Sequence, residues 1–510
     1  MSRRPLTPLR PHNKQFLLAR TAYQAHDDWV RFNLDNGFVL SCCPHLRVAE
    51  LTSQDGRTFY LLGHAVRTDR LGRSVEGDFH LHPADAIEDW TTCWTGRWVL
   101  VGPTSCQPDA GASLGIVHRR TGSGADAQSW VSSSTALLAE ASAAHGPVQP
   151  IAWGVRHAHG MDWVPAPFTG MAGIDRLAPL HRLDYVDGTV RPLAVPSFAN
   201  AVTERPSAGG FAERLRIAAQ NTTLLDHPTT RVALTAGLDT RTVLAAAVAS
   251  GIEVETYTVA SPWVVQHDLV LPPQLSAQVL VPHHTVVHRP SASDGIAARV
   301  ETAQRHLAGN GAGGPLRNLT EGRLEFAQAP GTLFLVGATF EIGRCFYWNR
   351  FAQAGASARL PDPDTILRAF PDRERSAAPW REAAARWVET ARDQTHALDW
   401  RDRFYLDQRL GSWLAGYQQV WDMVGGTSFP LGNGLALFAH LLRPDTHQRR
   451  AGWLQRQAIH VLEPRLARYP INPLPRHVVL ARAMRERLKG RWADAIAERL
   501  SASVRRLRAG

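Results

Sequence analysis

The chain has 510 residues and a formal net charge of +10, with 44% hydrophobic and 20% charged residues. These proportions are ordinary for a soluble globular protein, and the length predicts two or three domains of roughly 100 to 200 residues each. The five cysteines show no zinc-site spacing and are too few for a disulfide scaffold. The sequence contains no uninterrupted run of about 18 apolar residues, so we predict no membrane span.

Arginine supplies almost all of the positive charge, because lysine occurs only at Lys14 and Lys489. A chain rich in arginine and alanine is typical of a GC-rich genome, and we prefer this interpretation to a nucleic-acid-binding surface. The basic N-terminal stretch MSRRPLTPLRPHNKQFLLAR lacks the apolar segment of a signal peptide. We therefore expect a cytoplasmic protein with reduced cysteines.

The first part of the chain, up to about residue 195, predicts a β-rich domain. The predicted strands are GFVLSC, TFYLLGHAV, RWVLVG, LGIVHRR and SWVSSS. A helix ended by Gly146 follows, and then a closing hairpin that turns at Asp187 and Gly188. The segment AVPSFANAVTERPSAGG is rich in proline, serine and glycine and is our candidate linker. It divides the chain into a domain at 1–197 and a domain at 198–510.

After the linker, strands alternate with helices, a pattern typical of a parallel α/β sheet. The predicted strands are RVALT, VETYTVA, HTVVH and TLFLVG, and the predicted helices lie at about 211–225, 239–250 and 268–280. From about residue 378 onward the pattern is mostly helical.

The turn TAGLDT, residues 235–240, joins a predicted strand to a predicted helix. Ligands of parallel sheets bind beyond the carboxyl ends of the strands. Small residues there let the backbone approach a ligand, and threonine hydroxyls and helix N-terminal amides suit a phosphate. A carboxylate at Asp239 fits beside phosphate when Mg²⁺ lies between them. The alternative is that Asp239 or Thr240 only caps the helix. The candidate nucleotide-binding residues of this turn are Thr235, Ala236, Gly237, Leu238, Asp239 and Thr240.

The stretch TAGLDTR resembles the SGGLDSR pyrophosphate loop of the asparagine synthetase family, which includes β-lactam synthetase and the lasso-peptide macrolactam cyclases. Further segments resemble the family in the same order over most of the chain. They are FTGMAGIDRLAPLHRL, TYTVASPWVVQHDLVLPPQLSAQVLVPHHTVVH, LFLVGATFEIGRCFYW and RFYLDQRLGSWLAGYQQVWDMVGGTSFPLGNGLAL. The resemblance implies an α/β multidomain fold. Its N-terminal part would be a β-rich Ntn-type glutaminase-like sandwich, and its C-terminal part a parallel α/β adenine-nucleotide-hydrolase-like domain with a helical end.

The resemblance also implies roles for residues of a second glycine-rich loop. Gly337 is assigned to nucleotide binding, and Glu341 falls on a metal-binding carboxylate that would act with Asp239. Ala338 stands where well-understood members have a glutamate or tyrosine base. Either Tyr347 or the substrate's own amine takes over deprotonation, or turnover is reduced or absent.

Four further residues are candidates for functional roles, and most of them also have a purely structural interpretation. Asp268 contacts the nucleotide or is a helix cap, and His284 contacts a ligand or is structural. Arg344 faces phosphate or is an ordinary ion-paired arginine. Arg468 is the nearest candidate for the family's C-terminal lysine, which offsets charge that develops in acyl transfer.

Glutaminases of this family carry a nucleophilic cysteine directly after the initiator methionine, whereas this chain has Ser2 there. Cys42 and Cys43 lie in an apolar strand-like run, where we expect buried and inert thiols. The N-terminal domain is therefore expected to lack glutaminase activity.

The resemblance implies adenylation of a substrate carboxylate by Mg-ATP, followed by attack of an amine to form an amide or lactam in natural-product biosynthesis, as in antibiotic production. The expected partners are a small-molecule or peptide carboxylate, an amine and a second copy in a homodimer, with neither membrane nor nucleic acid. One alternative is a regulatory protein that keeps the fold without turnover, supported by Ala236, Ala338 and the missing lysine. The other is an ATP-dependent RNA-modifying enzyme, favoured by the charge of +10.

Overall fold

The computed structural model describes residues 10–123, 127–153, 163–193, 207–261, 264–287, 326, 331–351, 359–368, 377–392, 398–423 and 425–473. Two antiparallel sheets form the N-terminal part, and a parallel five-stranded sheet with helices forms the later part. The α/β class is confirmed at this level. The linker candidate lies mostly outside the described residues, so the domain boundary at 197/198 stays a prediction.

The N-terminal part contains all five strands that the sequence predicts, together with short strands that it does not. The strands are β1 (Phe16–Ala19), β2 (Val30–Asn33), β3 (Val39–Cys42), β4 (Val48–Thr52), β5 (Thr58–Arg67), β6 (Trp94–Val101), β7 (Ser105–Pro108), β8 (Val117–Thr121), β9 (Gln128–Ser132), β10 (Asp175–Arg176), β11 (His181–Asp184) and β12 (Thr189–Pro192). The helices are α1 (Val75–Asp78), α2 (Ile87–Thr91) and α3 (Thr135–Ala141). The sheet orders are β10-β8-β9-β1-β3-β2 and β12-β11-β7-β6-β5-β4. The predicted closing hairpin is β11–β12, and Gly188 has the positive φ of 77° that its turn requires.

The two antiparallel sheets face each other across one hydrophobic core. Phe16 and Leu40 of one sheet pack with Leu62 and Val99 of the other, all nearly inaccessible to solvent. Cys42 belongs to the same core, and burial raises the pKa of its thiol. The expected burial of Cys42 and Cys43 is confirmed.

The later part of the chain carries the parallel sheet. Its strands are β13 (Thr229–Ala233), β14 (Glu255–Ala260), β15 (His283–Val287), β16 (Thr332–Val336) and β17 (Thr427–Pro430). The helices are α4 (Ala208–Asn221), α5 (Leu238–Ala249), α6 (His267–Gln278), α7 (Pro363–Leu367), α8 (Ala378–Arg392), α9 (Trp400–Phe404), α10 (Ala415–Met423), α11 (Leu435–Leu442), α12 (Thr446–Arg450) and α13 (Trp453–Leu462). A π-helical segment, Tyr405–Leu414, joins α9 to α10. Among the described residues, no helix has the length and apolar character needed to cross a bilayer.

The sequence pattern did not predict β17, because this strand lies inside a helical region and ends in Pro430. Its partner β16 is remote in sequence, with Leu333 opposite Thr427 and Val336 opposite Pro430. A proline is tolerated at a strand end or at a sheet edge, and both conditions hold here. Long-range pairing therefore decides this strand, not local propensity.

The strand order β15-β14-β13-β16-β17 contains a switch point. From β13 the sheet grows through β14 and β15 on one side and through β16 and β17 on the other. Loops that follow β13 and β16 consequently diverge, and the crevice between them is where open parallel sheets bind ligands.

The sandwich is joined to the parallel-sheet part by buried polar contacts. Arg97 of β6 donates two hydrogen bonds of 2.6 Å to the carboxylate of Asp422 in α10, and neither side chain is accessible to more than 6%. Asn13 donates to the backbone oxygen of Asp422 at 2.6 Å. Asn433 donates to Gly96 O at 2.7 Å. Because both side chains are buried, solvent cannot readily take the place of either partner, and the ion pair fixes where α10 lies.

Removal of one partner of this buried pair is expected to destabilise the fold. Arg97→Met or Asp422→Leu leaves an uncompensated buried charge and should lower the free energy of unfolding by about 3 to 5 kcal/mol. The double variant should recover most of this loss, since neither charge of the pair then remains. Thermal unfolding followed by tryptophan fluorescence measures the order of stabilities. Glu213→Gln, which breaks the surface pair with Arg216, is the control and should shift the midpoint little.

Candidate functional site

The turn after β13 leads directly into helix α5. The N-cap of α5 is Gly237, with φ −72° and ψ 166°, and no side chain caps the helix. The alternative in which Asp239 or Thr240 is the N-cap is therefore wrong. Because the first amides of a helix have no partner within it, this N-terminus presents donors and a positive dipole end to the crevice.

The threonines of the turn shape it from within. Thr240 Oγ1 accepts the amide of Thr235 at 3.1 Å, and the two hydroxyls lie 3.1 Å apart. The amide of Gly237 donates to Thr235 Oγ1 at 3.0 Å. Asp268 of α6 accepts the amide of Ala236 at 2.8 Å. The turn is thus held by its own hydroxyls and by one carboxylate of the neighbouring helix.

Arg241 stabilises the same turn through hydrogen bonds from its guanidinium. Its side chain is fully buried and donates to the backbone oxygens of Ala236 at 3.2 Å, Tyr469 at 2.7 Å and Pro470 at 2.9 Å. Leu238 is buried in the core beside it. The segment around 469–470 is thereby tied to the turn, which explains how a region remote in sequence reaches the site.

The second loop, after β16, touches the first through Gly337. A Cβ at Gly337 would lie 2.8 Å from the carbonyl carbon of Asp239 and 2.9 Å from its oxygen. Real Cβ atoms do not approach backbone this closely, so only glycine allows the two loops to meet here.

Two carboxylates converge on one guanidinium at this junction. Arg344 Nη2 forms a very short contact with Asp239 Oδ2 and lies 3.7 Å from Glu341 Oε1. Gln455 donates to the other oxygen of Asp239 at 2.8 Å. Arg409 Nε lies 3.7 Å from Glu341 Oε2. The predicted pair of Asp239 and Glu341 is therefore brought together, with Arg344 between its members.

A cleft of about 480 Å³ opens over the two loops. Its lining comes from the ends of β13, β14 and β16, from the start of α5 and α6, and from the helix that contains the π segment. The lining includes Thr235, Asp239, Thr240, Thr258, Asp268, Gly337, Ala338, Glu341, Arg409, Trp413, Tyr417 and Trp421.

The donor set of this cleft fits a hard divalent cation. No described group of three or more histidine, cysteine, aspartate or glutamate residues could hold a metal by itself. Mg²⁺, however, is usually bound by one or two carboxylates together with substrate phosphates. Asp239 and Glu341 meet that requirement, and the cation Arg344 already lies between them.

Of the sequence candidates outside the cleft lining, Ala236, Gly237, Leu238 and Arg344 adjoin lining residues, whereas Tyr347, Arg468 and His284 belong to other surroundings. Tyr347 is 2% exposed and packs against Phe404, and burial raises the pKa of its hydroxyl to about 12. Arg468 lies exposed at the end of a 3₁₀ turn, and His284 pairs with Glu255 on the sheet edge at 3.3 Å. The roles suggested for these residues stay predictions.

Ala338 lies in the cleft and offers no titratable side chain there. The hydroxyl of Tyr405 donates to its backbone oxygen at 3.4 Å. Burial raises the pKa of Tyr405 well above its ordinary value, so this hydroxyl keeps its proton. Among the described residues, neither Ala338, at the position that the resemblance assigns to a base, nor Tyr405 beside it accepts a proton at neutral pH.

The sequence interpretation missed Gln455, Arg409, Trp413 and Tyr417. No sequence pattern points to Gln455, because its contact with Asp239 joins two segments that are remote in the chain. A pattern does exist for the other three residues. Together with Trp421 they recur at four-residue spacing, which places them on one side of a helix.

Burial sets the charge state of Asp239 in the ligand-free protein. It raises the pKa of this carboxyl from 3.8 to about 6, and Glu341 adds to the rise. The charge of Arg344 and the hydrogen bond from Gln455 oppose this effect and do not overcome it.

We expect Asp239→Asn to stabilise the metal-free, nucleotide-free protein. The unfolded chain releases this proton near pH 3.8 and the folded chain near pH 6, so the free energy of unfolding falls as pH rises between these values. The asparagine removes a penalty of up to about 3 kcal/mol. Thermal unfolding with a chelator should show a larger gain at about pH 8 than at about pH 4.5. An equal gain at both pH values would contradict this origin.

Similarity to known proteins is low. No protein-family model matches the chain, and no curated protein does either. Among solved structures, the chain is similar to NMN synthetase from Francisella tularensis, with 13% sequence identity over 40% of this chain and 94% of that chain and a TM-score of 0.23. A TM-score this low carries no argument about function. Membership of the asparagine synthetase family therefore stays an inference from the motifs.

Proposed function

We propose that the protein is an ATP-dependent synthetase that activates a carboxylate as an acyl-adenylate and transfers the acyl group to an amine. The observation that carries this proposal is the meeting of two loops at the switch point of a parallel sheet, with Asp239 and Glu341 converging beside the uncapped N-terminus of α5. The pyrophosphate of ATP would lie on the amides and hydroxyls of residues 235–240.

The two carboxylates would hold Mg²⁺, which supplies charge neutralisation and orientation of the phosphates. A cation bound there competes with Arg344 for Asp239 and Glu341. The guanidinium of Arg344 is then available to an oxygen of the phosphates, and this would unite the two roles considered for it. Asp268 positions the loop through the amide of Ala236, and because it also lines the cleft it would lie near the nucleotide.

We propose further that residues 1–197 are a glutaminase-like Ntn-type sandwich without glutaminase activity, and that 198–510 form the synthetase domain. Ser2 in place of a cysteine and the burial of Cys42 and Cys43 support the loss of that activity. The amine would then come from the substrate or from a second substrate. An amide or lactam of a small-molecule or peptide acid fits this scheme.

A nucleotide-binding protein of the same fold with impaired turnover is the second candidate. It is favoured by Ala338, because neither this residue nor the buried Tyr405 accepts a proton from an attacking amine. An amine that reaches the site already deprotonated would restore turnover without a protein base.

Carboxylate-dependent exchange of pyrophosphate into ATP tests the proposal. We expect exchange with a panel of carboxylic acids and Mg²⁺, and a loss of at least about a hundredfold in Asp239→Asn, because the phosphate charge is then poorly neutralised. Glu255→Gln is the matched control, since its carboxylate lies on the same sheet, pairs with Arg231 and is outside the cleft lining. ATP binding without exchange would favour the second candidate, and no ATP binding would refute both.

Gly337→Ala tests the contact between the two loops. A methyl group has no room beside Asp239, and such overpacking costs about 1 to 3 kcal/mol, so the affinity for Mg-ATP should fall about tenfold or more. Gly209→Ala, in the first turn of α4, is the control because nothing lies within 4 Å of the added Cβ. Isothermal titration gives both affinities. An unchanged affinity in Gly337→Ala would show that the loops need not meet.

A further inference from the structure

The helical rod from α9 through the π segment to α10 has one narrow open side. Every described residue from 401 to 423 is buried except four, which recur at four-residue intervals and all line the cleft. We call them the cleft stripe: Arg409, Trp413, Tyr417 and Trp421.

The π segment accounts for the straightness of this stripe. In an α-helix of 3.6 residues per turn, side chains four residues apart drift by about 40° around the axis. Hydrogen bonds from i to i+5 widen the turn and offset that drift. Arg409 and Trp413 lie inside the π segment, whereas Tyr417 and Trp421 lie in α10. π-Helical turns are rare in proteins, and where they do occur they are often found at functional sites.

The other sides of the rod are held by the N-terminal sandwich. Gln408 exchanges two hydrogen bonds of 2.9 Å with the backbone of Ala166, and Gln419 donates to Ser133 O at 2.6 Å. Asp422 is held by Arg97. The stripe is therefore a rigid surface, fixed by polar contacts on the far side of the rod.

The stripe is a column of planar groups. The guanidinium carbon of Arg409 lies 3.6 Å from the ring centre of Trp413, and the rings of Trp413 and Tyr417 are nearly parallel at 17° with centres 5.4 Å apart. Because these groups stack on one another, they present ring edges to the cleft. Ring edges carry the positive end of the aromatic quadrupole and attract the face of another ring.

One end of the column is charged and adjoins the carboxylate pair. Glu341, at 3.7 Å, is the only carboxylate within ion-pair distance of Arg409 in the described part of the chain. An anion bound beside Arg409 would thus lie next to Glu341 and Asp239. The ring of Trp413 stacks directly on the guanidinium of Arg409, with 3.6 Å between the guanidinium carbon and the ring centre. A carboxylate on Arg409 and a ring against the edge of Trp413 would therefore be joined by a short chain.

We propose that the cleft stripe binds an aromatic carboxylic acid, with its carboxylate on Arg409 and its ring against the edges of Trp413 and Tyr417. That this acid is the acyl substrate rests on the proposed function, whereas the binding itself does not. The charge of Arg409 favours the acid over the adenine of ATP on this side. The opposite side of the cleft, with Thr258 at the end of β14, remains for the nucleoside.

Binding of three matched probes to the full chain tests the inference. They are 3-phenylpropionate, 3-cyclohexylpropionate, which has similar bulk without a π face, and 3-phenylpropanamide, which lacks the charge. Ligand-observed NMR titration should show the phenyl acid binding about two- to tenfold more tightly than the cyclohexyl acid, and the amide binding more weakly than either.

Variants localise the preference to the stripe. Trp413→Ala should abolish the preference for the phenyl acid, and Trp413→Phe should retain it. Arg409→Gln should make the acid and the amide bind alike. Trp348→Ala is the matched control, because Arg401 lies 3.7 Å from the ring centre of Trp348 in a similar pair outside the cleft lining, and it should change neither preference. Thermal unfolding and ATP binding verify that each variant is folded.

Three results would overturn the inference: equal binding of the two acids, an undiminished preference in Trp413→Ala, or displacement of 3-phenylpropionate by ATP, which would put adenine on the stripe. Pyrophosphate exchange tests the synthetase proposal separately from the binding of the acid. Specific binding without exchange supports the stripe and counts against the synthetase. Exchange that is unchanged by Trp413→Ala, whichever acid is used, supports the synthetase proposal and refutes binding of the acid at the cleft stripe.

Discussion

The approach of Gly337 to the backbone of Asp239 is the constraint on which the candidate site depends. Because β13 and β16 are neighbours at the switch point, the loops that follow them border one crevice, and here they also touch at their origin. A glycine at this point lets Asp239 and Glu341 face one another. The uncapped start of α5 then supplies donors beside two carboxylates, a combination that suits a phosphate–metal complex.

The sandwich acts on this site from a distance. Its contacts to the rod of α9 and α10 lie on the side away from the cleft, through Arg97, Ser133 and Ala166. Burial of an ion pair contributes little net stability, yet it penalises every arrangement in which the partners separate. The N-terminal sandwich therefore has a structural role, because it sets the position of the cleft wall that α9 and α10 form.

Charge within the cleft is balanced before any ligand binds. Arg344 and Arg409 each lie beside a carboxylate, and the pKa of Asp239 is nevertheless raised to about 6 by burial. Desolvation thus outweighs the nearby positive charge. A site in this condition gains from a divalent cation, which replaces a single guanidinium charge with two and satisfies both carboxylates together.

The alternation of strands and helices and the turn at residues 235–240 follow from local periodicity and turn chemistry, whereas Glu341 could be paired with Asp239 only through the resemblance to a known family. The folded chain was needed to show that β17 completes the sheet, that Gln455 bonds to Asp239, and that Arg409 and Trp413 face the cleft. Each of these joins segments far apart in the chain. Local propensity does not describe such contacts, because their free energy comes from burial and pairing between segments that are close together only in the folded chain.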